Sequence, residues 1–232
     1  MPNNHIYGFR WFRSIGGADT PQHFTLPIAS AYAPNTGADG AGGTACNLNI
    51  GDPVQLIDDG TLRLVQPGAA TTTAVLDDAT FGIVVNFARV KIDGAVRPNS
   101  FYPSGTTYLG GITGAEATLV TVVPVKDNIF EVDCGAAPGA TLDTQDEWAA
   151  AVGAGAHFTY APVTVGRGAP RANPVLNMAT IDSTTGIRQL RILGLSKLGD
   201  TQDYAAAAVR MQVMFIAAQL SGHAPQTADI ET

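Results

Sequence analysis

One run near the end of the chain alternates strictly. Val209, Met211, Val213 and Phe215 share one side, and Arg210 and Gln212 the other, until Met214 breaks the pattern. A period of two marks a half-buried β-strand, because successive side chains leave a pleated backbone on opposite faces. A second β-rich run, Arg188-Gln-Leu-Arg-Ile-Leu-Gly-Leu-Ser196, precedes it across a polar gap. The two are expected to be the final strands of a β-domain. Tyr204-Ala-Ala-Ala-Ala could open a helix on alanine propensity, but the alternation from Val209 favours a strand.

Three earlier stretches read as hairpins. Asn47 to Ile57 and Thr61 to Gln66 flank Asp58-Asp59-Gly60, whose Asp-Gly supplies the positive φ of a tight turn. Phe81 to Ile92 and Ala95 to Arg97 flank Asp93-Gly94, and Thr118 to Val125 and Ile129 to Cys134 flank Lys126-Asp-Asn128. Pro124 marks an edge or a strand end, since proline cannot donate to a ladder. His157 to Val165 and Val175 to Ile181 read as strands, with a loop from Gly166 to Pro174. One helix is expected: Thr144 and Glu147 have the spacing of a capping box, and Trp148-Ala-Ala-Ala-Val152 follows, ending at Gly153.

Residues 1–44 lack any helical period. Tyr7, Phe9, Trp11, Phe12, Phe24 and Tyr32 alternate with Gly16-Gly17, Pro21, Pro27 and Pro34, and the segment ends in Gly37-Ala-Asp-Gly-Ala-Gly-Gly43. It is too apolar for a disordered tail, so it is expected as an extended arm lying on its own body or on a neighbour. A β-rich body is expected over 45–220, with a helical insertion near 143–153, and 221–232 read as a polar tail. The fold expected is therefore mainly β, a β-sandwich or β-barrel with an extended N-terminal arm and one short helix.

Composition narrows the function classes. Charged residues are only 14% of 232, against a usual quarter, while 26 Gly, 14 Pro and many Ala and Thr replace them. Such a surface suits cover by partner proteins, though it equally follows from a chain rich in small residues. The net charge of −7 repels a phosphate backbone, so nucleic acid is not an expected partner. Arginines form pairs separated along the chain (Arg10 with Arg13, Arg167 with Arg171, Arg188 with Arg191) and no basic run. Arginine outnumbers lysine, which suits planar, bidentate contacts. Cys46 and Cys134 have no metal or redox spacing and read as small buried hydrophobes. No apolar run is long enough for a bilayer, and the polar Met1-Pro-Asn-Asn-His does not resemble a leader, so a protein made in the cytoplasm with no membrane partner is expected.

Catalytic and cofactor signatures are missing from the pattern. His5, His23, His157 and His223 have no ligand spacing. Nucleophile-elbow and phosphate-loop motifs are absent, and Gly37 to Gly43 has neither the lysine nor the helix that a phosphate cradle needs. Acid pairs occur at Asp58-Asp59, Asp77-Asp78 and Asp143 with Asp146-Glu147. Two carboxylates across a cleft can hydrolyse a glycoside, but the first pair lies in a turn and the third at a helix start, where acids favour the dipole. No enzyme, metal or cofactor is expected. The aromatic arm also admits a glycan-stacking role, although aromatics near Pro and Gly more often anchor in pockets.

Gly51-Asp-Pro-Val54, Asp59-Gly60-Thr-Leu62 and Phe81-Gly-Ile-Val-Val85 together resemble the opening of capsid decoration (cement) proteins of tailed bacteriophages. Asn128-Ile-Phe-Glu-Val132 and the two closing runs are similar to structural proteins of phage heads, so the resemblance runs in order over roughly residues 45–220. The chain departs from the simplest cement proteins in its arm 1–44 and in the stretch from Gln145 to Pro174. The resemblance implies a non-catalytic virion protein on the capsid exterior. Its partners would be the major capsid protein and further copies of itself, as a dimer or trimer, stabilising the head. Arg10, Trp11, Phe12, Arg13, Phe24 and Tyr32 are the interface candidates, since Trp and Arg dominate interface energetics. The alternatives are another virion component that binds a glycan or receptor and, behind it, an enzyme acting on polysaccharide.

Overall fold

The computed structural model describes residues 8–17, 20–28, 48–56, 60–65, 80–92, 95–97, 101–102, 118–135, 142–163, 171–182, 188–196, 204, 209–216 and 218. The fold is mainly β with one short helix, as the alternation requires. The strands are β1 (Arg10–Ser14), β2 (Phe24–Pro27), β3 (Leu48–Asn49), β4 (Pro53–Leu56), β5 (Leu62–Leu64), β6 (Gly82–Ile92), β7 (Ala95–Arg97), β8 (Phe101–Tyr102), β9 (Leu119–Pro124), β10 (Asn128–Asp133), β11 (Gly155–Val163), β12 (Arg171–Asp182), β13 (Leu190–Leu195) and β14 (Arg210–Phe215). The helix α1 is Gln145–Ala150.

Two antiparallel sheets carry the fold. The first runs β1-β10-β14-β13-β11-β12, the second β2-β9-β6-β4-β5 with β7 beside β6, and β3 with β8 forms a small third pair. Both main sheets curl, the edge strand β12 of the first back onto the end of β10 and the two margins of the second onto each other. In the first, Cys134 just past β10 bridges Leu176 of β12, and Gly135 N–H donates to the Leu176 carbonyl at 3.2 Å. A Cβ on Gly135 would stand 2.5 Å from Val175 Cγ2, so only glycine lets the chain pass there. In the second, Ile28 after β2 bridges Leu62 of β5.

Each sheet has its own core. Phe9, Phe130, Phe158, Tyr160, Phe215 and Trp148 fill the first, with Ile83, Val123 and Val125 entering from the second sheet. Val54, Leu62, Phe81, Val84, Phe87, Val120 and Val122 fill the second with Ile28 and Leu48. Rings meet edge to face, Phe9 with Phe158 at 5.8 Å and Phe130 with Phe215 at 5.8 Å, the arrangement that ring quadrupoles favour. The Tyr160 hydroxyl donates to the Val65 carbonyl at 2.8 Å, tying one sheet to the other.

The hairpins β4–β5 and β6–β7 and the closing pair β13–β14 form as the sequence predicts. Thr144 caps α1 in a full capping box with Glu147. Strand β12 starts at Arg171, inside the stretch read as a loop. It holds Pro174 because it lies at the margin of the sheet, where a missing N–H costs no ladder bond. The third hairpin does not form. Strands β9 and β10 belong to different sheets, and the chain crosses between them at residues 125–127, with Asp127 at φ 58°. Asn128 fixes this corner: its amide nitrogen donates to the carbonyls of Pro124 (3.0 Å) and Lys126 (3.1 Å).

The N-terminal stretch is built into both sheets. Strand β1 pairs with β10 and β2 pairs with β9. Gly8, at φ 75°, passes so near Gly51 that a Cβ would lie 2.6 Å from its carbonyl oxygen. That approach lets Phe9 N–H donate to the Gly51 carbonyl at 2.9 Å and brings the Phe9 ring into the first core. The glycine run 37–43, Cys46 and the tail 221–232 lie outside the described residues.

Candidate interaction face

Strand β1 sorts the sequence candidates by face. Trp11 turns toward the first core and its indole N–H donates to Asn128 Oδ1 at 2.9 Å, an acceptor shared with the Ser14 hydroxyl at 2.7 Å. Arg10 lies opposite Glu131 and pairs with its carboxylate through Nε at 3.1 Å and through Nη2. These two residues hold the stretch to its own sheet.

Phe12 and Arg13 do not. Trp11 faces Phe130 and Arg13 faces Ile129, so Phe12 is the extra residue of a bulge, and it is 37% exposed. A bulge re-aims a side chain at the cost of one ladder position. The Arg13 guanidinium stands over the Phe12 ring at 5.6 Å. On β2, Phe24 is 40% exposed and rests one edge against buried Phe81, ring centroids 5.9 Å apart. Tyr32 lies outside the described residues.

The outer side of the first sheet adds residues that local patterning missed. The register gives one row across four strands, Arg13–Ile129–Met214–Arg191, and a second row of Arg10–Glu131–Gln212. Arg10, Arg13 and Arg191, distant in the chain, thus come onto one face although the sequence has no basic run. Glu131 and Asp133 are both buried, the first held by Arg10 and the Ser196 hydroxyl, the second by Arg210 Nε at 3.1 Å. Their i, i+2 spacing in β10, set against Arg210 and Gln212 in β14, was the available signal. It becomes decisive only once the strands are known to be neighbours.

At one end of this face His157 is buried, its Nδ1 3.3 Å from Gln189 Oε1 and its Nε2 3.5 Å from Arg188 Nη1. Burial, and then the Arg188 charge, push its pKa below the ordinary value against the bond from Gln189. Among the described residues no three His, Cys, Asp or Glu side chains are placed to hold a metal ion. Glu147 accepts from the Asp143 backbone N–H and from the Thr144 hydroxyl and backbone N–H, which lower its pKa in that order, so its role at the helix start is capping. Asp58, Asp59, Asp77 and Asp78 lie outside the described residues. Trp148 is fully buried and donates to the Tyr204 carbonyl at 3.1 Å, so it offers no ring to a sugar.

No helix among the described residues is long and apolar enough to cross a membrane. No family model, curated protein or solved structure matches the chain.

Proposed function

We propose that the protein is a virion structural component of a tailed phage, a decoration or cement protein that binds the outer surface of the capsid and stabilises the head. One observation carries this reading: β1 and β2, the first strands of the two sheets, each turn an aromatic residue to solvent. Phe12 is 37% and Phe24 40% exposed, and Ile15 just beyond β1 is 54% exposed. Apolar side chains presented from rigid strands suit a docking surface, because little side-chain freedom is lost when a partner covers them. The phage-like runs support the same reading. Gly51 to Val54 lead into β4, Gly60 turns toward β5, and Phe81 to Val85 start β6, so all three build the second sheet.

On a capsid lattice each contact can be weak, since many copies bound side by side, with dimer or trimer contacts among them, share the load. An interface of roughly 1,600 Å² would suffice for specific docking. The acidic chain suits an exterior site, away from packaged DNA. The test is to add purified protein to capsids lacking it. Co-sedimentation, with heads that withstand higher temperature before releasing DNA, is expected. Absence of co-sedimentation together with unchanged head stability would overturn the proposal.

A further inference from the structure

The outer side of the first sheet changes character along its length. Along β14 and just past it the outward side chains run Arg210, Gln212, Met214 and Ile216, from 9% exposed at Arg210 to 41% at Ile216. On β10 they run Asp133, Glu131 and Ile129, from two buried carboxylates to an apolar residue. One end is therefore a closed set of ion pairs, in which Arg210 meets Asp133 and Arg10 meets Glu131. The other end is apolar and open. Ile15 N–H, just past β1, donates to the Asp127 carbonyl, and Ile216 N–H, just past β14, donates to the Gln189 carbonyl, both at 2.9 Å, so the two stand at this same end with β10 between their strands.

Two exposed arginines flank the apolar end. Arg13 and Arg191 close the row that has Ile129 and Met214 between them, three strand spacings or roughly 14 Å across. Neither has a carboxylate partner among the described residues. Arg13 lies over the Phe12 ring, and Arg191 Nη1 donates to the Gly153 carbonyl at 3.2 Å. In a chain of net charge −7, two guanidiniums with no carboxylate partner among the described residues, astride an apolar strip, define a partner by complementarity. Asp127, an exposed acid at the corner before β10, lies beyond the row, its carbonyl accepting from Ile15 N–H.

We propose that this end of the face docks a protein surface carrying two carboxylates on either side of an apolar strip. Resting on the capsid reading above, that surface belongs to the outer side of the capsid shell. Arg13 and Arg191 set the register of docking, and Ile15, Met214 and Ile216 supply the apolar contact.

The test titrates wild-type protein and the double variant Arg13→Glu/Arg191→Glu onto capsids by co-sedimentation, with circular dichroism confirming the fold. The reversal is expected to weaken binding about 100-fold, while Arg13→Lys/Arg191→Lys, which keeps the charge, stays within about tenfold of wild type. Should the reversal fail to fold, Ile15→Ser/Ile216→Ser, at two exposed positions, is expected to weaken binding about tenfold. Wild-type binding that survives both the reversal and the serine pair overturns the inference and leaves the capsid reading standing. Wild type that does not bind capsids overturns both. Loss of self-association with capsid binding intact would assign the face to a second copy of the chain and overturn the inference as stated.

Discussion

The two sides of β10 are both buried and chemically opposite. Phe130 and Val132 enter a core of aromatic and branched side chains, whereas Glu131 and Asp133, one residue out of phase, are sealed under Arg10, Ser196 and Arg210. The inner side gains from removing apolar surface from water, in proportion to area and with little demand on direction. The outer side gains only if every charge has its partner, because desolvation costs each ion several kcal/mol. The inner side thus holds the fold together, and the outer side fixes which strands lie beside one another and which arginines are left for a partner.

The largest expected effect falls on the inner side. Phe158→Ala empties a fully buried ring position beside Phe9 and Tyr160 and should cost about 4 kcal/mol, read as a lower denaturation midpoint at unchanged slope. A loss under about 1 kcal/mol would mean that the first core is loosely packed. On the outer side, Asp133→Ala removes the carboxylate that accepts from Arg210 Nε and should cost about 3 kcal/mol. The paired change Asp133→Leu/Arg210→Met should recover most of that loss. If the pair is as damaging as the single change, the ion pair is not what the outer side depends on.

Away from both sides, Thr144→Ala removes the cap of α1 and should cost about 1 kcal/mol by thermal unfolding. The subtlest effect is a pH slope at His157. Its folded pKa lies below the ordinary 6.5, so below that pH the unfolded chain binds the proton that the native state refuses. Stability is therefore full above pH 6.5 and falls as pH drops from there toward the folded pKa. Denaturant titrations at pH 8 and pH 5 should show this slope reduced in His157→Gln, which keeps a polar group beside Gln189. An equal slope in the variant would show that His157 is not its source.

Legibility in the sequence followed the same divide between local and distant. Period-two alternation and Asp-Gly or Gly turns predicted β4–β5, β6–β7 and β13–β14, and the Thr144/Glu147 spacing predicted α1, because each depends on neighbours in the chain. Lys126-Asp-Asn128 has the look of a hairpin turn and fails as one. The crossing of β9 and β10 into separate sheets is held by Trp11 and Ser14, which meet Asn128 across more than a hundred residues. Phe12 and Arg13 were legible as candidates, but that Arg10 and Trp11 are tied to the protein's own sheet, one on each side of it, depends on the register of β1 with β10. Arg191 and Met214 were not legible as site residues at all. They join Arg13 only through four strands drawn from three distant parts of the chain.

Hydroxyl-radical footprinting of the protein, free and bound to capsids, tests the docking face most directly, because it reads side-chain exposure residue by residue. Phe12, Ile15, Met214 and Ile216 should become protected on capsids while exposed Val152, at the end of α1, keeps its reactivity. Unchanged labelling at those four positions on protein that does bind capsids would contradict the docking face.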